Sequence, residues 1–136
     1  MSNNLEYAEK LRISGLRPTS QRVQICEFLF NRETTFHFTI KDLAKKLINE
    51  SNEKISLATI YNTVEAFTDA GYLKEILTSK NKSYYDTNIK SHHHFYDEGT
   101  KELTDINYNQ VKLSKVPMPP KGKKIKNLEV VIRIQK

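Results

Sequence analysis

The sequence predicts an α+β fold, with an N-terminal winged helix-turn-helix over residues 1–88 and a small α/β domain over 89–136. Three observations carry this. Apolar residues recur at the helical interval in short, capped segments up to Gly71. Two strand-like runs joined by a polar turn come next. Three further strand-like runs fill the remainder.

The elements follow in order. Tyr7, Ala8 and Leu11, with Leu5 and Ile13 more loosely, mark a helix over 3–14 that Gly15 stops. Pro18 forbids its continuation, and Thr19 or Ser20 can cap a second helix with Val23, Cys26, Leu29 and Phe30 on one face. Residues 31–38 read as a connection. Thr39 caps a third helix, "IKDLAKKLINE", with Ile40, Leu43, Ala44 and Leu47 inward. Ser56 caps a fourth, "LATIYNTVEAFTDAGYL", whose inward stripe is Leu57, Ile60, Val64 and Phe67. "LKEIL" and "KSYYD", joined by "TSKNK", make the hairpin wing. "HHHFYD", "KELTDI" and "EVVIRIQ" are strands, and "VPMPPKGKK" is loop. The second unit is too short to bury much alone, so pairing with another copy as a homodimer is expected.

Composition narrows the class. With 38% hydrophobic and 28% charged residues, the chain reads as a folded domain or two small ones sharing a core. No apolar run approaches the ~20 residues that span a bilayer. The polar start lacks the pattern of a signal peptide. One cysteine, Cys26, allows neither an internal disulfide nor a four-thiolate zinc site. A reduced, cytoplasmic protein is expected. The net charge of +6 is uneven. Residues 1–88 hold 12 basic and 11 acidic side chains, whereas 110–136 hold 8 basic ones against Glu129. Charge alone therefore does not mark the N-terminal half for an anionic partner.

The outward face of the fourth helix suits the major groove of DNA. It carries Ala58, Thr59, Tyr61, Asn62 and Glu65. Asn62 can pair with adenine, and Ala58 and the methyl of Thr59 can meet thymine methyls. Arg12, Arg17 and Arg22, with Lys80 and Lys82 in the wing, can grip phosphates. The alternative is an ordinary solvated face.

In a strand over 92–96, His92, His94 and Tyr96 share one side, and His93 and Phe95 the other. Imidazoles with Asp86 and Asp105 could hold a divalent transition metal, and His37 could complete the set from the other half. A set spanning both halves would couple occupancy to their orientation. The alternative is a strand of solvated histidines, with His37 in core or at surface.

Several stretches resemble the ferric uptake regulator family of bacterial repressors. "GLRPTSQRVQICEFL" is similar to its second-helix signature. "SLATIYNTVEAFTDAGYL" resembles its recognition helix, and "YYDTN" followed by "HHH" its hinge and metal region. Within the family the chain looks most like the iron response regulator branch, which is understood to govern iron and haem genes. The resemblance implies an N-terminal winged helix, a C-terminal dimerisation domain and no enzymatic activity. It implies DNA contacts from Tyr61 and Arg22, which join Arg17, Ser56, Thr59, Asn62, Lys80 and Lys82 from the residue reading as contacts to double-stranded DNA, an AT-rich operator. It also implies a sensor drawn from His37, Asp86, His93, His94 and Asp105, to which the strand reading adds His92, taking iron or manganese, zinc as a further option, and/or haem. There are departures. Tyr96 stands where the family often has histidine and Phe95 where it has aspartate, so one nitrogen ligand is lost and a second site largely dismantled. The paired Cys-x-x-Cys motifs are absent, as is the cysteine-proline haem motif of some of the branch. Cys26 is expected to pack in the core.

Alternatives within the class are a manganese, zinc or peroxide sensor, and the missing thiolates count against the last. A metal-dependent hydrolase is the alternative from another class, although no HExxH motif or Gly-rich phosphate loop is present. The basic C-terminal stretch could serve protein or RNA binding, or simply solubility.

Overall fold

A computed structural model of the chain describes residues 4–50, 54–78 and 82–136. The chain divides into two compact units, Met1–Ile89 and Lys90–Lys136.

The first unit contains α1 (Asn4–Ile13), α2 (Ser20–Phe30), β1 (His37–Phe38), α3 (Ile40–Glu50), α4 (Leu57–Ala70), β2 (Lys74–Leu77) and β3 (Ser83–Asp86). The Thr19 hydroxyl accepts the Arg22 N–H at 3.3 Å to start α2, and the Ser56 hydroxyl accepts the Thr59 N–H at 3.1 Å to start α4. Gly71 ends α4 at φ 88°, a left-handed conformation that a side chain would strain, and its N–H reaches the carbonyls of Phe67 and Thr68. One core gathers Tyr7, Leu11, Ile25, Cys26, Leu29, Leu43, Leu47, Ile60, Val64 and Phe67.

The expected α+β fold, helices followed by small sheets, is the one observed. Its details differ in three places. First, the connection 31–38 ends in a two-residue strand. β1 pairs antiparallel with β3, His37 opposite Asp86 and Phe38 opposite Tyr85, so the sheet order is β1-β3-β2. Phe36 and Thr87 extend the pairing: the Phe36 N–H donates to the Thr87 hydroxyl and the Thr87 N–H to the Phe36 carbonyl. Second, Leu57 lies 55% exposed, and Thr63 takes a place in the buried stripe of α4. Thr63 satisfies its hydroxyl by donating to the Thr59 carbonyl at 2.7 Å, which removes the cost of burying it. Third, Ile25 is fully buried on α2, whereas Val23 and Phe30 are half-buried.

The second unit contains β4 (His92–Asp97), β5 (Leu103–Asn107), a 3-10 turn at Tyr108–Gln110 and β6 (Val131–Ile134). β4 is central. β5 pairs with it antiparallel and β6 parallel. β5 carries the chain back to the start of β4, and the loop containing "VPMPPKGKK" leads from there to β6 on the other side of β4. Among the described residues, no helix is long and apolar enough to cross a membrane.

Candidate metal centre and nucleic-acid interface

The geometry begins with the pleat of β4. Alternation sends His92 and His94 to one side and His93 to the other, and all three are buried. His94 stands opposite Asp105 in the β4–β5 register, and His92 is the diagonal neighbour. Both imidazoles bring Nε2 to the same carboxylate oxygen, Oδ1 of Asp105, at 3.6 Å from His92 and 3.3 Å from His94. The ligand atoms of His92, His94 and Asp105 lie within 4.8 Å of one another.

Outer contacts select the nitrogen that faces inward. His92 Nδ1 meets the Lys90 carbonyl at 2.5 Å, and a carbonyl only accepts, so Nδ1 carries the proton. His94 Nδ1 meets Oε1 of Glu129 at 3.1 Å and donates there in the same way. With Nδ1 engaged outward, Nε2 of each ring is the nitrogen left toward Asp105, where it would bind an ion as the neutral imidazole. A hydrogen bond to the far nitrogen is how metal-binding histidines are held in the required tautomer. Two imidazoles and a carboxylate, without thiolate, fit a borderline divalent ion.

His93 is set apart from this group. It accepts the Val130 N–H on Nδ1 at 2.9 Å, so its proton lies on Nε2, the reverse of its neighbours. Its ring stacks on Tyr108 with centroids 5.3 Å apart. The structure does not bring it to Asp105. Haem fits less well than a small ion. The three histidines are 6%, 2% and 0% exposed, and a porphyrin needs an open apolar face beside its ligand.

In the first unit His37 pairs with Asp86. The β1–β3 register sets them opposite each other, with His37 Nε2 3.1 Å from Asp86 Oδ2. Asp86 is almost fully buried, and its other oxygen accepts the Asn88 N–H at 2.8 Å, which fixes the carboxylate.

The α4 face reads as expected. Ala58, Tyr61, Asn62 and Glu65 are exposed and Thr59 is half-buried, its hydroxyl 2.8 Å from that of Ser56. Arg17, Thr19, Gln21, Arg22 and Thr59 line one groove of about 590 Å³ where α2 and α4 begin. The Arg22 guanidinium donates through Nη1 to the Arg17 carbonyl at 2.9 Å, while its buried Nε has no hydrogen-bond partner among the described residues. A phosphate oxygen would satisfy such a donor. Lys82 is exposed in the wing, and Lys80 lies outside the described residues.

Three participants escaped the sequence reading: Glu129, the Lys90 carbonyl and the Val130 N–H. No local signal marks any of them, because each is placed by strand pairing or chain direction rather than by a motif.

Comparison with known proteins shows the family and the fold. The model of the ferric uptake regulator family matches residues 13–133. The peroxide-responsive repressor PerR of Staphylococcus aureus is 33% identical over 106 residues, covering 78% of this chain and 70% of that protein. Among solved structures, the ferric uptake regulator of Pseudomonas aeruginosa with manganese aligns with a TM-score of 0.70 and 24% identity, covering 96% of this chain and 97% of the other. That of Francisella tularensis with iron aligns with a TM-score of 0.71 and 18% identity, covering 90% and 92%. The two structures show that the fold is shared.

Proposed function

The chain belongs to the ferric uptake regulator family, whose members are DNA-binding transcriptional regulators rather than enzymes, and from that premise we propose that it is a dimeric repressor taking iron or manganese as its signal. The observation that carries the choice of ligand is the matched orientation of His92 and His94, both turned by outer hydrogen bonds to present Nε2 beside Asp105. Solved relatives of the same fold are described with manganese and with iron, ions that this donor set suits.

In this reading His92, His94 and Asp105 hold the ion. His37 and Asp86 are proposed as further ligands on the strength of the family resemblance, whereas His93 serves packing. When bound, the ion supplies the charge that holds these donors in one arrangement. Ligands drawn from both units would tie its occupancy to DNA affinity, as a switch requires. Tyr61, Asn62 and Thr59 are proposed to meet bases, and Arg17, Arg22, Ser56, Lys80 and Lys82 the phosphates of an AT-rich operator. The narrower assignment to the iron response regulator branch rests on residue resemblance alone, and haem is not carried forward.

Peroxide sensing is a second reading, favoured by the naming of the Staphylococcus aureus relatives as peroxide-responsive repressors. One titration separates the two. Operator binding by the full chain is measured with chelator, Fe(II) or Mn(II), then after hydrogen peroxide, beside His94→Ala. Binding that follows the metal and vanishes in the variant supports the proposal. Peroxide release of the Fe(II) form alone moves the assignment to the second reading. Equal binding in every condition refutes both.

A further inference from the structure

We propose that the groove between α3 and α4 binds a free long-chain carboxylate, with its alkyl chain on an apolar floor and its headgroup at Lys41 and Lys45. The groove has a volume of about 510 Å³, within the range of small-molecule sites. Helical spacing builds it. Ile40, Ala44 and Ile48 succeed one another at intervals of four along α3, and Leu57 and Tyr61 do so along α4. Ile40, Ile55 and Ile60 are buried and form the floor. Ile48, Leu57 and Tyr61 remain 71%, 55% and 52% exposed. Three large side chains left in water around one apolar trough are a feature that soluble surfaces avoid unless something covers it.

Charge identifies the occupant. Among the described lining residues Lys41 and Lys45 are the only charged ones, and both are positive. At i, i+4 on one helix they repel each other slightly, and an anion beside them relieves that. The rest of the lining offers isoleucine, alanine and leucine, with Tyr61. A phosphodiester strand would complement the lysines but would set charged groups against the isoleucine floor, at a desolvation cost that nothing there repays. An amphiphile with one anionic end meets both demands. Tyr61 belongs also to the face proposed to read DNA, so a filled groove would compete with the operator. That consequence rests on the DNA reading above, whereas the binding itself does not.

The test is calorimetry of the full chain with decanoate below its micelle concentration, beside decyltrimethylammonium of equal chain length. Saturable binding of decanoate at one site per chain is expected, with none for the cation. Lys41→Gln/Lys45→Gln should weaken it about fivefold, the scale of lost exposed ion pairs. Ile48→Gln, at an exposed position that leaves folding intact, should weaken it as well. Equal binding of the two amphiphiles, unchanged affinity in both variants, or no saturable binding overturns the proposal. So does loss of operator affinity in Ile48→Gln without any decanoate binding, which would give the groove to DNA. A gel shift with decanoate checks the competition separately: unchanged operator binding sinks that consequence alone.

Discussion

Nδ1 of His94 lies 3.1 Å from Oε1 of Glu129, 35 residues further along the chain, and this contact decides which nitrogen His94 turns toward Asp105. Glu129→Ala removes the partner while leaving the imidazole in place. Loss of such an outer contact weakens metal binding by about 10–100-fold. Competition against a chromophoric chelator would measure the drop, and unchanged affinity would show that the strand alone orients the ring.

His93 and His94 should separate cleanly on substitution. His93→Ala unstacks Tyr108 and leaves the Val130 N–H without its acceptor, a loss of about 1–3 kcal/mol in stability. Its metal affinity should stay within a fewfold of the parent. His94→Ala should abolish high-affinity metal binding. Denaturant titration and metal titration of the two variants, run side by side, provide the check.

Cys26 is a core residue, fully buried in the first unit. Burial pushes its thiol up to about 12 from an ordinary 9.0, which keeps it protonated and unreactive. The unfolded chain ionises at the lower value and so binds fewer protons above it. The contribution to stability is therefore complete below pH 9 and is lost as pH rises toward about 12. A thiol reagent should label Cys26 only on unfolding, and Cys26→Ala should cost about 1 kcal/mol while leaving the metal response intact.

On α4, Asn62→Ala should cost about 1–3 kcal/mol of operator affinity and relax preference at one base pair. Lys82→Ala should instead weaken all sequences alike and reduce the salt slope by about one. Ser56→Ala removes the helix cap and should destabilise the first unit by about 1 kcal/mol. Gel shifts over a salt series and thermal melts distinguish base reading, phosphate contact and capping.

What the sequence made legible was local. The caps Thr19 and Ser56, the stop at Gly71 and the stripe Ile60, Val64, Phe67 follow from period and residue chemistry, and they are where the structure has them. Thr63 was illegible because a threonine enters a core only when a carbonyl such as that of Thr59 stands ready. The strand at His37 was illegible because two residues carry no period, and their pairing is decided by Asp86 and Tyr85 nearly fifty positions later. The same applies to Glu129, which the pairing of β6 with β4 delivers to His94. Residue types pointed to His92, His94 and Asp105, while only the fold could say that His93 belongs elsewhere.

Three identical residues in a row look like spares for one another, yet the pleat of β4 gives them different trades. Sliding the strand by one position against β5 would hand Asp105 the wrong imidazole and turn the other two toward Tyr108. The motif therefore behaves like a reading frame. Replacing its middle letter costs packing, whereas a slip of one position puts every side chain on the wrong side.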